Sequence, residues 1–254
     1  MDGREVTNRF LRDFRQTIGN CIAENHYARF RDLARRNGMG IHSESGGPFW
    51  PFIDAMRCLS MDEIPMGEVW YPDGAHGFSI KQIASTAHGY GKRYCQAETY
   101  TSIGPHWQEG PAEIKPIADY AFCLGLTRIV HHTFTSSDPK DGKPGYEYFA
   151  GTHFNPNVTW WEQIRPYIEY ESRCCHLLSR GLFVADACYY YGEDVPAFVT
   201  LRDALRPELP AGYDYDMCNT EVLVTRMSVK DGRIVLPDGM SYRVLVLPDS
   251  KCKP

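Results

Sequence analysis

Short apolar runs alternate with helix-length segments along most of this chain, and that alternation restricts its fold more than any other feature. Runs at 39–42, 66–70, 93–99, 126–134 and 181–189 are too short for helices and read as buried strands. Helices are expected at 53–59, 80–90, 116–124 and 160–179. A longer one is expected at 7–36, where Phe10, Leu11, Phe14, Ile18, Ile22, Phe30 and Leu33 recur every three or four residues until Asn37-Gly38 stops the pattern. Strands alternating with helices predict an α/β architecture with a parallel sheet. About five βα units do not close a barrel of eight, so residues 1–200 are expected to form a partial (β/α)8 TIM-type barrel.

Beyond residue 200 the pattern changes. Residues 201–254 read as a linker, a hairpin of strands at 221–229 and 234–236 with turns at Asp231-Gly232 and Asp238-Gly239, and a last strand at 242–247 whose apolar run is 244–247. That strand resembles the first strand of a second α/β domain, so the chain is expected to be part of a larger parent. Its start, Met1-Asp2-Gly3-Arg4-Glu5-Val6, has neither the basic start nor the apolar run of a signal peptide.

Lys+Arg of 27 against Asp+Glu of 32 gives a net charge of −5, which provides no electrostatic footprint for nucleic acid or an anionic membrane; neither partner is expected. Nine scattered cysteines without a C-x-x-C pair read as reduced packing residues. Aromatics at 13% suit either a large core or a site where rings lie against sugar faces.

Three runs lead to a carboxylate flanked by small or aromatic residues: His42-Ser43-Glu44-Ser45-Gly46-Gly47, Gly67-Glu68-Val69-Trp70 and Cys95-Gln96-Ala97-Glu98-Thr99-Tyr100. Barrels place catalytic groups at strand ends, so Glu44, Glu68 and Glu98 are expected to converge on one mouth and to serve acid-base sugar hydrolysis. Glu44 also reads as a turn acid in a glycine loop. His42, Trp70 and Tyr100 accompany these acids as candidate substrate contacts.

His131 and His132 close the fourth strand, and strand alternation sends one to the mouth and the other into a helix. Asp186 interrupts the fifth strand, either as a ligand or substrate contact or as the partner of an arginine. Tyr190, within Tyr189-Tyr190-Tyr191, is a candidate sugar contact beside a neighbour that packs inward. No His, Asp or Glu spacing forms a metal motif, so metal ligands are not assigned.

Several segments together resemble the glycoside hydrolase family 106 α-L-rhamnosidases: Arg9-Phe10-Leu11-Arg12-Asp13-Phe14-Arg15, Ile22-Ala23-Glu24-Asn25-His26-Tyr27, His42 through Pro48, Gly67-Glu68-Val69-Trp70, Val184-Ala185-Asp186 through Asp194, and Leu209-Pro210-Ala211-Gly212 through Pro248. The resemblance implies inverting, two-carboxylate hydrolysis of terminal α-L-rhamnosyl residues, often in pectic glycans, with Ca2+ at the sugar. It implies an oligo- or polysaccharide substrate met in the periplasm or outside the cell. It also places the chain over the later part of the catalytic barrel, with an aspartate and a glutamate of the family expected before Arg9. On that reading Glu68 or Glu98 is the acid, Glu44 positions sugar or calcium, and the chain alone is expected to lack its base. A barrel glycosidase of other sugar specificity, or a non-catalytic carbohydrate-binding remnant, remains an alternative.

Overall fold

The structure is a computed structural model that describes residues 3–44, 52–72, 77–104 and 106–248. The N-terminal helix runs as α1 (Gly3–Ile22), a π-helical turn (Ala23–Ala28) and α2 (Arg29–Arg36). Its aromatic face is largely open: Phe10 and Phe14 stack on one another in solvent. No described helix is long and apolar enough to cross a membrane.

Four strands then pair in sequence order as one parallel sheet: β1 (His42–Ser43), β2 (Ile64–Trp70), β3 (Gln96–Thr101) and β4 (Arg128–His131). Between them lie α3 (Ala55–Leu59), whose first turn is capped by Asp54, then α4 (Gly77–Tyr90) and α5 (Pro111–Cys123); α6 (Arg165–Leu178) follows. Parallel strands need such crossovers, which explains the alternation in the sequence.

Along β2 the odd residues Pro65, Gly67 and Val69 are buried while Ile64, Met66, Glu68 and Trp70 are partly open, the period-2 signature of a strand with one face against helices. Gly67 lies on the helix side. A Cβ there would stand 2.3 Å from Ser79 Oγ and 3.2 Å from Ile83 Cγ2, so only glycine lets α4 pack this closely. Gly67→Ala is expected to cost about 1–3 kcal/mol in urea denaturation, the usual penalty of an overpacked core.

The expected fifth barrel strand does not extend this sheet. β5 (Ala187–Tyr190) sits between β6 (Tyr215–Cys218) and β10 (Val244–Val246) in a second parallel sheet, which joins residues from both sides of position 200. The described sheets are open. A third, antiparallel sheet holds the expected turns: β7 (Ser228–Lys230) and β8 (Arg233–Val235) flank Asp231-Gly232, and β9 (Ser241–Tyr242) follows Asp238-Gly239. Most of the strand expected at 221–229 is instead a π-helical turn, Val222–Arg226.

Helix α4 lies between the two parallel sheets, which is why eleven of its fourteen residues are buried. On one side it meets β2; on the other, Ser85 Oγ donates to Asp216 on β6 (3.1 Å). Asp216 is fully buried and also contacts His88 Nδ1 (3.0 Å), accepts from Tyr242 Oη (3.1 Å) and lies 4.0 Å from Lys81 Nζ. The main core fills the space among β2, β3, α4, α5 and α6, around Val69, Ile80, Ile83, Ile114 and Leu126.

Candidate active site

Glu44, Glu68 and Glu98 converge at the open face of the first sheet. Glu68 and Glu98 are register neighbours on β2 and β3, and Glu44 lies one residue past β1. Glu44 and Glu68 share a hydrogen bond, and Glu98 adds its charge to the same spot. Burial, reinforced by the two neighbouring carboxylates, raises the Glu44 pKa to about 8. Trp70 Nε1 donates to Glu68 Oε2 at 2.7 Å. Thr101 Oγ1 donates to Glu98 Oε1, and His132 Nδ1 stands 3.5 Å from that oxygen and 3.2 Å from Thr101 Oγ1. The edge of the Tyr148 ring meets His132, with centroids 5.7 Å apart.

The two histidines divide as strand alternation requires. His132 faces the carboxyls, whereas His131 turns to the helix layer, where its Nε2 lies 2.7 Å from Glu171 Oε2 on α6. Tyr100 does not join the site. It adopts φ = 70°, and the pairing jumps there: Val69 faces Thr99 and Trp70 faces Thr101, leaving Tyr100 unpaired. This bulge turns the Tyr100 side chain into the core, where it donates to Glu171 and its hydroxyl lies 2.8 Å from that of Tyr167. The same bulge brings Thr101 beside Glu98, a contact that alternation alone would have hidden.

Of the remaining candidates, Asp186 and Tyr190 belong with the second sheet. His42 is exposed on β1. Asp186 precedes β5 in the second sheet, where Arg243 Nε lies 3.5 Å from its carboxylate. Tyr190, also in that sheet, hydrogen-bonds Thr220 at 2.9 Å and packs against a buried cluster that includes Cys188, Cys218, Val222 and Tyr242. A cavity of about 680 Å³, lined by Arg93, Cys95, Thr127 and Phe183, lies at the opposite strand ends from the carboxyls. Residues 45–51, the rest of the glycine loop after Glu44, lie outside the described residues.

Among the described residues, His106, Glu147 and His153 also approach one another, with one ligand atom from each all within 4.8 Å of one another. They come from the loops after β3 and β4.

A protonated carboxyl held beside further carboxylates, on the open face of a parallel α/β sheet, is an arrangement that acid-assisted cleavage of a glycosidic bond can use. Comparison supplies the class. The family model for alpha-L-rhamnosidase, glycoside hydrolase family 106, matches residues 1–253, and the chain belongs to that family. A solved rhamnosidase from Novosphingobium sp. PP1Y superposes with a TM-score of 0.80 at 30% identity, over 94% of this chain and 23% of that one. A protein of Formosa agariphila named "Putative beta-glucuronidase" is 40% identical over 253 residues, 98% of this chain and 21% of its own length. The chain thus spans less than a quarter of each of these proteins.

Proposed function

We propose that this chain carries the acid side of an inverting α-L-rhamnosidase site, within a larger protein that removes terminal α-L-rhamnosyl residues from plant pectic glycans. The observation that carries this reading is the Glu44 carboxyl, which burial and its neighbours Glu68 and Glu98 keep protonated to about pH 8. A carboxylic acid still protonated near neutrality can donate its proton to a departing glycosidic oxygen. The sequence alone divides the acid role between Glu68 and Glu98; the proton-holding surroundings favour Glu44, with the other two supporting it. Trp70, Thr101 and His132 fix the directions of Glu68 and Glu98.

Inversion needs its acid and base about 6.5–9.5 Å apart, with a water between base and sugar. Glu44 and Glu68 are hydrogen-bonded, too close to be that pair. We place the base, as the family resemblance implies, on parent sequence outside these residues, and read β1 to β4 as consecutive strands of a (β/α)8 barrel. A site of this kind would meet its polysaccharide in the periplasm or outside the cell.

The site's chemistry also fits Ca2+. Three carboxyls crowded enough to raise the pKa of one form an oxygen-only, electron-rich donor set that suits a hard dication. Glu68 and Glu98 would hold the ion, which would draw on sugar hydroxyl oxygens and orient the ring. Such an ion would offset the charge by which Glu68 and Glu98 raise the Glu44 pKa, so the metal-bound and the proton-holding cluster would be alternative states. Trp70 would offer its ring beside the sugar.

A second reading follows from the name of the Formosa agariphila relative: hydrolysis of a β-glucuronide. Full-length protein assayed on a panel of aryl glycosides separates the two. Turnover of the α-L-rhamnoside at least about tenfold above the β-D-glucuronide is expected, since hydrogen bonds to sugar hydroxyls set such preferences; the reverse order overturns the rhamnosidase reading.

A further inference from the structure

We propose that His106, Glu147 and His153 form a binding site for a divalent first-row transition metal, of which Zn2+ is the type, separate from the carboxyl cluster at the mouth. One ligand atom from each lies within 4.8 Å of the others, so a single ion can reach all three with small side-chain movements. Two imidazoles and one carboxylate are a donor set for Zn2+ and its neighbours, with a fourth tetrahedral position left for water; Ca2+ takes oxygen ligands instead.

Unmet polar groups point to a ligand independently. His153 is 3% exposed, and neither of its ring nitrogens has a hydrogen-bond partner. Close by, buried Glu109 leaves Oε1 unsatisfied, and its residue lines, with His153 and Trp107, a cavity of about 280 Å³. Buried polar atoms are rarely left without partners, and an orphaned imidazole costs the fold unless something binds it. Glu147 Oε1 stands 3.5 Å from His153 Nε2 and 3.9 Å from His106 Nε2, a spacing more open than direct hydrogen bonds and open to an ion between them.

The site would pin two loops together. His106 belongs to the loop after β3, while Glu147 and His153 bracket the segment that carries Tyr148 to His132. Gly151 N–H already donates to Ser102 O (2.6 Å) and Thr152 N–H to His132 O (2.9 Å), so a metal here would lock an arrangement that hydrogen bonds begin. Its role is to position the wall of the mouth.

The test titrates the metal-stripped full chain with Zn2+ and with Co2+, comparing wild type with His106→Gln and Glu147→Gln. These two positions lie in less buried surroundings than His153, and circular dichroism verifies that both variants fold. One equivalent of Zn2+ is expected. Even indirect partners of metal ligands are worth about 10–100-fold in affinity, so each variant should bind at least about tenfold more weakly. Co2+ should give tetrahedral visible bands without a thiolate charge-transfer band. Three results each overturn the proposal: equal affinity in wild type and both variants, a thiolate band assigning the metal to cysteines, or absence of Zn2+ and Co2+ binding by folded wild type.

Discussion

Glu44→Gln in the full-length protein is expected to lower turnover of an aryl α-L-rhamnoside by about 10²–10⁴-fold, the usual contribution of a positioned general acid. Wild-type activity should persist below about pH 8 and fall above it, as the carboxyl that burial and Glu68 and Glu98 keep protonated finally ionises. Stability should also fall as pH rises, but over a lower range. The folded-state pKa lies above the ordinary 4.5, so folding favours the protonated form. The resulting cost is absent below about pH 4.5, grows as pH rises and is complete above about 8. Glutamine escapes that cost, and the variant should melt at a higher temperature than wild type at pH 9 while remaining inactive. Turnover unchanged from wild type would remove Glu44 from the acid role, and an alkaline limb surviving in the variant would assign that limb to another group.

Asp216→Ala carries the second large effect, an expected loss of about 3–5 kcal/mol in urea denaturation, as when one partner of a buried ion pair is removed. The variant removes the buried one of the two carboxylates near Lys81, which is 1% exposed and keeps Asp214 at 3.4 Å, and strips His88, Ser85 and Tyr242 of a shared acceptor. Burial pushes the Asp216 pKa up, but His88, Lys81 and Tyr242 outweigh it and hold the carboxyl below its ordinary 3.8. Stability from this group is therefore present above that value and lost as pH falls through the lower folded-state pKa. Asp216→Asn should flatten the acid side of the stability profile. A profile identical to wild type would mean that His88, Lys81 and Tyr242 do not hold the Asp216 carboxyl below its ordinary pKa.

The sequence revealed those parts of the fold that repeat a local pattern. Apolar spacing marked the N-terminal helix and the four strands that pair in order, because parallel strands buried against helices read as short apolar runs. The Glu44, Glu68 and Glu98 convergence followed from the same placement, and the division of His131 from His132 followed from alternation. Tyr100 fails for a definite reason. Alternation puts it on the face of Glu98, but the bulge inserts one unpaired residue and reverses its direction. Thr101 was hidden by the same event. β6 is short and has an acid at its centre, so Tyr215–Cys218 lacked the composition of a strand; the burial of Asp216 depends on partners more than a hundred residues earlier. His106, Glu147 and His153 have no regular spacing, since loops rather than a helix or hairpin bring them together.

The position of α4 between two sheets also bears on how this family can vary. Near its start Ser79 Oγ accepts the Glu68 N–H, and farther along Ser85 and His88 reach Asp216. An α-helix turns about 100° per residue, so one residue inserted between Ser79 and Ser85 would swing one set of contacts away from its sheet. Insertions and deletions that preserve the mouth should therefore fall outside this stretch. The helix acts as a ruler whose length is set by two surfaces at once, one bearing the carboxyls and the other far from them.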